Sequence, residues 1–297
     1  MSSSLDVGVA ILTWNSEQDI IACLNSLLGQ PVNDIVIVDN GSSDRTLELV
    51  ASHALDIEVI AQAQNTGFAA ATNLALSRLD NEFKLCLNDD AILTPGYVEL
   101  LVNELHRQPN AASAVGKLLS SSSDGSYIDS AGILMSFHRL SPLDRGHCEP
   151  DDAQYEQDEF IFGPSAAAAI YRTRALDALG EPPFDESLFA YYEDVDLAWR
   201  LNNLGWLHLY RPKATAYHFR RGPDAKPGNI RAQAFANRYV VWAKNQSLRE
   251  FLFYSPLALP WELSRITRRL IREPDVLSRV PAALRRAASI IVGRLWP

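Results

Sequence analysis

The chain has 297 residues, 47% of them hydrophobic and 21% charged, which is enough apolar material for a large core and unlike the composition of a disordered chain. Its net charge of −9 is uneven: residues 1–227 carry 15 Lys and Arg against 32 Asp and Glu, and residues 228–297 carry 12 against 4, so the two parts are expected to face different partners. Three cysteines without CxxC spacing, Cys23, Cys86 and Cys148, argue against a disulfide framework and against a thiolate zinc site.

Val7 to Leu12 reads as a buried strand, followed by Thr13, Trp14 and Asn15 and a helix over about Glu17 to Leu28. A second strand, Ile35 to Val38, ends on Asp39, Asn40, Gly41 and Ser42, with a helix beginning near Asp44. A third, Ile57 to Ile60, leads to Asn65, Thr66, Gly67 and Phe68 and a small-residue helix through Asn73 to about Leu79. The fourth, Phe83 to Leu87, stops on Asn88, Asp89 and Asp90 before a helix signalled by Pro95. Strands alternating with helices at this pitch predict an α/β fold with a mostly parallel sheet.

In such a sheet the polar strand ends share one edge, and ligands bind in the crevice beyond it. Carboxylates gathered there are costly unless a cation joins them, so Asp89 and Asp90 read either as a metal-and-phosphate site or as an acidic cap for the next helix. No GxGxxG follows the first strand and no Walker A lysine motif is present, so neither a dinucleotide fold nor a P-loop is supported.

Further on, Ala112 to Leu119 is expected as a strand, Ser120 to Gly125 as a flexible turn or loop, and 126–160 as an irregular insertion near the site. Gly163 to Tyr171 gathers small residues, which suits close approach of a ligand or backbone, or buried helix packing. In Tyr191 to Arg200, a helix beginning near Asp194 puts Asp196 and Arg200 four apart, able to pair on one face. That spacing leaves Asp194 free for chemistry, or the stretch is an ordinary acidic helix start. His208 to Tyr210 and Ala214 to Tyr217 are expected as two short strands, with His218 at the end of the second.

Residues 228–297 read as a basic, amphipathic helical extension, in which Pro256 and Pro260 rule out a spanning helix over Phe251 to Trp261. Its arginine clusters among apolar residues suit peripheral contact with an anionic membrane surface. MSSSLDVG lacks the regions of a signal peptide, and the expected location is the cytoplasm or the inner face of its membrane.

Taken together, VAILTWN at 9–15, IVIVDNGSSD at 35–44, NTGFAAATN at 65–73, LNDDA at 87–91, DSAG at 129–132, RGHCEPD at 145–151, FDESLFAYYEDVDLAWRLNNLGW at 184–206 and PKATAYH at 212–218 resemble the inverting family-two glycosyltransferases of GT-A fold, in particular the bacterial rhamnosyltransferase-like branch. The resemblance runs in family order over about 210 residues of the chain. It implies that residues 1–227 form a GT-A domain, a mostly parallel central sheet flanked by helices. By the same resemblance, Thr13, Asn15 and Asp39 would hold the nucleotide base, and Asn65, Gly67, Phe68 and Asn73 would line the nucleotide-sugar side. Asp89 would contact ribose, Asp90 and His218 would hold Mg²⁺ or Mn²⁺ with Asn88 as a weaker ligand, Asp194 would be the catalytic base, and Glu193 would orient the acceptor. Two departures stand out: Asn88 where some relatives carry aspartate, and Trp14 where tyrosine is common. The implied partners are a nucleotide sugar, dTDP-rhamnose ahead of a UDP-sugar, and a glycan or lipid-linked glycan acceptor; no nucleic acid is expected. A silent nucleotide- or carbohydrate-binding partner and a sugar nucleotidyltransferase are the competing readings.

Overall fold

A computed structural model describes residues 5–122, 125–137, 141–220 and 228–295. Its centre is a sheet whose first strands, β1 (Val7–Thr13), β2 (Asp34–Asp39), β3 (Glu58–Ala61) and β4 (Phe83–Asn88), run parallel in the spatial order β4-β1-β2-β3. The cores of β1, β2 and β4 are continuous apolar runs because helices cover both faces. Val7, Val9 and Ile11 pack against α1 (Ile20–Leu27) and α4 (Tyr97–Arg107). Ala10, Val36 and Val38 face the other way, onto α3 (Phe68–Leu76) and, further along, α5 (Thr173–Asp177) and α6 (Glu193–Asn203). The short α2 (Thr46–Ala51) follows β2; the Asp44 carboxylate accepts from the Thr46 amide at 3.0 Å and caps it.

Beyond β4 the sheet continues through β11 (Ala168–Arg172), β6 (Ala111–Ser122), β12 (Leu207–His218) and β10 (Glu159–Ile161). β11 is antiparallel to β4 and β6, and β12 is parallel to β6, so the sheet is mixed at this end. The small residues of 163–171 serve that arrangement: Ala168 to Arg172 are buried strand rather than helix, and a Cβ on Gly163 would sit 2.3 Å from that of Ala198 on α6.

Several expectations are corrected. Ser120 to Ser122 are not loop but the end of β6, paired with β7 (Gly125–Ser130); residues 123 and 124 lie outside the described residues. The stretch 126–160 is not irregular throughout, because β8 (Ile133–Ser136) and β9 (Ser141–Asp144) form a second small sheet there. The two strands expected at 208–217 are one, β12, with an irregularity in its register between Arg211 and Thr215 where Pro212 interrupts the ladder. A three-residue strand, β5 (Ala91–Leu93), follows the acidic run and pairs antiparallel with the end of β12, in the register His218↔Ala91.

Residues from 228 on are helical: α7 (Gly228–Asn245), α8 (Leu248–Arg272) and α9 (Val280–Leu295). α8 opens with a capping box, the Ser247 hydroxyl accepting from the Glu250 amide and the Glu250 carboxylate from the Ser247 amide. It runs through both Pro256 and Pro260, and among the described residues no helix is long and apolar enough to cross a membrane. α7 does not stand apart from the sheet: Ala236, Val240, Val241 and Trp242 share a core with Ile133, Leu188, Val195 and Trp199.

Candidate active site

A cavity of about 540 Å³ opens where β1, β2 and β4 end. Asn88, Asp89 and Asp90 form its floor, the segment Phe189 to Val195 one wall, and Ile230 and Ala234 of α7 part of its rim. β5 explains how two distant residues meet there. Its pairing with β12 sets His218 beside Asp90, with Nε2 at 3.2 Å from Asp90 Oδ1 and 3.1 Å from the Asn88 amide.

On its other side His218 Nδ1 donates to Asp129 Oδ2 at 2.8 Å, and Asp129 Oδ1 also holds Arg220 Nε at 2.7 Å. Arg220 in turn reaches Asp144 Oδ2 at 2.9 Å. Burial lowers the proton affinity of His218, but the hydrogen bonds to Asp129 and Asp90 outweigh it and raise its pKa to about 9. A carboxylate on Nδ1 with Nε2 turned to a second carboxylate is the arrangement that orients a metal-binding imidazole. The donor set therefore fits a hard divalent cation, with Asp90 and His218 as protein ligands. Among the described residues no three His, Cys, Asp or Glu side chains gather as a ready cation cage. Diphosphate oxygens and water would complete the shell, as is usual for Mg²⁺.

The segment before α6 has a strained backbone. Phe189, Tyr191 and Tyr192 all have positive φ, at 63°, 68° and 74°. Non-glycine residues pay roughly 1–2 kcal/mol each in such conformations. The side-chain amide of Asn237, on α7, holds the segment, lying within 2.8–3.0 Å of the carbonyls of Leu188, Ala190 and Tyr191. α6 then begins at Glu193, placing Glu193 and Asp194 on the cavity wall. Asp196 points away, as its spacing predicts, pairing with Arg200 at 2.8 Å and also with Lys244 and Asn245 of α7.

Burial, and next the Asp144 charge, push the Asp194 carboxyl above the ordinary carboxylate range; burial, and next Asp194 itself, do the same to Glu193. Glu193 is 8% exposed and its Oε2 has no hydrogen-bond partner among the described residues. Both carboxyls therefore bind a proton more tightly than ordinary ones, Glu193 more so than Asp194. The pair can accept one from a hydroxyl group brought to it.

The other expected site residues divide. Asn65, Gly67, Phe68 and Asp89 line the cavity, and Ser16 donates to Asp89. Thr13, Asn15, Asp39 and Asn73 do not line it. Thr13 donates to Asp39 at 2.9 Å behind the wall, and the Ser42 amide donates to the same carboxylate. Asn15 takes φ 52° and accepts from the Ser43 amide. Asn73 is spent on the Phe184 backbone, donating to its carbonyl at 2.8 Å and accepting from its amide at 3.0 Å, and so fixes the approach to the strained segment. Trp14 does line the cavity and is half exposed, as a ring that stacks on a base would be.

Gly67 is required by its surroundings. It has φ 91°, and a Cβ there would lie 2.6 Å from the Phe189 carbonyl oxygen. Gly67→Ala is expected to cost on the order of 3 kcal/mol from strain and displacement of that segment. Thermal unfolding with a parallel nucleotide titration checks this; an unchanged Tm would refute it.

Missing from the sequence reading are Arg220, Asp144 and Asn237, and the part Asp129 plays in joining His218 to Arg220. The available signal was DSAG at 129–132, which belongs to the quoted motifs, and Arg220 two positions past His218, on the same face of an extended chain.

Comparison with known proteins agrees with this geometry. The model of the family described as Glycosyl transferase family 2 matches residues 8–180. The N-acetylglucosaminyl-diphospho-decaprenol L-rhamnosyltransferase of Mycobacterium tuberculosis is 26% identical over 251 residues, covering 76% of this chain and 80% of that protein. Among solved structures, the mannosyltransferase PcManGT from Pyrobaculum calidifontis, in complex with GDP-Man and Mn²⁺, aligns over 99% of this chain and 88% of its own at 17% identity, with a TM-score of 0.60. S. aureus TarS 1-349 aligns over 97% and 88%, also at 17% identity, with a TM-score of 0.59. The fold is that of the GT-A glycosyltransferases.

Proposed function

We propose, from the premise that this chain belongs to glycosyl transferase family 2, that it transfers a sugar with inversion from a nucleotide-diphosphate donor to a hydroxyl of a lipid-linked glycan. The observation that carries this reading is Asp194, set on the cavity wall with raised proton affinity and unpaired with the nearby Arg200, which Asp196 occupies. Rhamnose is the favoured sugar, supported by the mycobacterial relative's name, and dTDP as its carrier rests on the family resemblance alone. In this reading residues 1–227 hold the donor and the base, while 228–297 support the acceptor side.

Asp194 accepts the proton of the acceptor hydroxyl as that oxygen forms its bond to the anomeric carbon. The bond from that carbon to the nucleoside diphosphate breaks on the opposite face, and one displacement inverts the centre. One carboxylate suffices, whereas an inverting glycosidase needs a second as acid. Glu193, its Oε2 unpartnered, hydrogen-bonds a neighbouring acceptor hydroxyl. Asn65, Phe68 and Asp89 position the nucleotide sugar, and Trp14 stacks on its base. Asp90 and His218 would hold Mg²⁺ or Mn²⁺, which when bound neutralises the charge of the leaving diphosphate. Asp129 keeps His218 oriented for that task.

Calorimetric titration of UDP, dTDP and GDP, each with Mn²⁺ and with EDTA, tests the donor site on the wild type and on Asp90→Ala. We expect one nucleotide to bind with metal, at least tenfold more weakly with EDTA or after the substitution. Absence of binding to all three, in folded protein, would favour a silent carbohydrate-binding partner instead.

A further inference from the structure

A second cavity, of about 1020 Å³, lies beside the first and shares with it Tyr191, Tyr192, Arg220 and Ala234. Its walls are basic in a chain whose net charge is −9. α7 contributes Arg231 and Arg238, one helical face apart by seven residues. α8 contributes Arg265, Arg268, Arg269 and Arg272, whose i, i+3, i+4 and i+7 spacing puts all four on one side of the helix.

Among the described residues the acidic partners of these groups are shared between arginines. Glu262 is shared between Arg238 and Arg265, at 2.7 Å from each, and Glu273 between Arg269 at 2.7 Å and Arg231 at 4.0 Å. Among the described residues neither Arg268 nor Arg272 has an acidic partner. Burial and then the neighbouring Arg238 charge lower the proton affinity of Arg265, as expected of crowded guanidinium groups.

The opposite side of α8 has the contrary chemistry. Leu252, Leu263 and Leu270 are exposed there, with Phe253 and Ile271 flanking them, Ile271 to 78%. A ligand with an anionic head and a hydrocarbon tail matches both surfaces of one helix, and a head lodged among the arginines is next to the wall that carries Asp194.

We infer that this cavity is a diphosphate subsite for the acceptor: its arginines grip the phosphates of a lipid-linked glycan, directing the sugar to Asp194 and the hydrocarbon chain along α8. The inference deepens the transferase reading above and rests on it for the identity of the bound lipid. Guanidinium forks bind adjacent phosphate oxygens in bidentate fashion, which a lone phosphodiester at a membrane surface uses less fully.

The test titrates inorganic pyrophosphate and geranyl diphosphate, in EDTA, into the full chain, into Arg268→Ala/Arg272→Ala and into Asp90→Ala. Both substituted arginines are exposed, and equal Tm values establish that the fold is retained. The expected result is binding of both probes to the wild type and to Asp90→Ala, weakened tenfold or more in the double arginine variant and partly restored in Arg268→Lys/Arg272→Lys. No pyrophosphate binding to the wild type, or equal binding to the double alanine variant, overturns the subsite. Arginine-dependent sedimentation with phosphatidylglycerol vesicles, without any diphosphate binding, also overturns it and makes the cavity a lipid-headgroup surface. Failure of the donor reading shows separately, as absent nucleotide binding; arginine-dependent pyrophosphate binding in that case still supports an anion site.

Discussion

Asp194→Asn removes turnover by about 10²–10⁴-fold, the range contributed by a positioned general base, and leaves metal-dependent nucleotide affinity intact. Asparagine keeps the shape and the Oδ1 that accepts from the Val195 amide at 2.8 Å, so the helix start survives and only proton acceptance is lost. The pH profile of the wild type gives a second readout. Burial and the Asp144 charge raise Asp194 to about 6, so kcat falls as pH drops through that value, above the range of an ordinary carboxylate. Stability changes in the opposite sense. A carboxyl whose folded pKa exceeds its unfolded value holds its proton more tightly in the folded chain, so this group's contribution is complete at low pH and is lost as pH rises through about 6. Asp194→Asn therefore has a higher Tm than wild type at pH 8 and an equal one at pH 4. Normal turnover in the variant, or a Tm lowered at pH 8, would sink the assignment.

The second large effect is on the fold. Asp196→Ala is expected to lower stability by on the order of 3 kcal/mol, because Asp196 is fully buried and Arg200, Lys244 and Asn245 all bond to it. In thermal melts this corresponds to a Tm lower by roughly 5–15 °C. Lys244→Met is expected to be strongly non-additive with it, since the two act within one network that ties α6 to α7. A drop in Tm of under about 2 °C would mean that solvent reaches the pair and screens it. The contrast with Asp194 is informative: two carboxylates two positions apart have opposite consequences, one for chemistry and one for packing.

The sequence makes the first half of the fold legible because its signals are local. Continuous apolar runs ending on Asp39 and on Asn88 to Asp90 locate β2 and β4 and their shared edge, and four-residue spacing separates Asp196 from Asp194. What is hidden is long-range. β5 has three residues, too few for a period, yet its register with β12 is what brings His218 to Asp90 across 128 positions of chain. Asp129 gives no local sign that it will join His218 and Arg220. Thr13, Asp39 and Asn73 were legible as polar residues at the right strand or helix, but their side chains are committed to one another and to the Phe184 backbone. α8 carries two prolines, read as excluding a spanning helix, and it is helical through both of them after its capping box.

The grip of Asn237 on the segment before Asp194 has a consequence for how the protein is made. A ribosome releases the first half of the fold before the rest, and its strands can pair as soon as residue 88 has emerged. The left-handed turns at Phe189, Tyr191 and Tyr192 have no such early support, since the amide that holds them lies about 45 residues later in the chain. A product terminated before Asn237 would thus lack the support of the segment that leads into Asp194. The reaction is enabled late in synthesis, when α7 has docked.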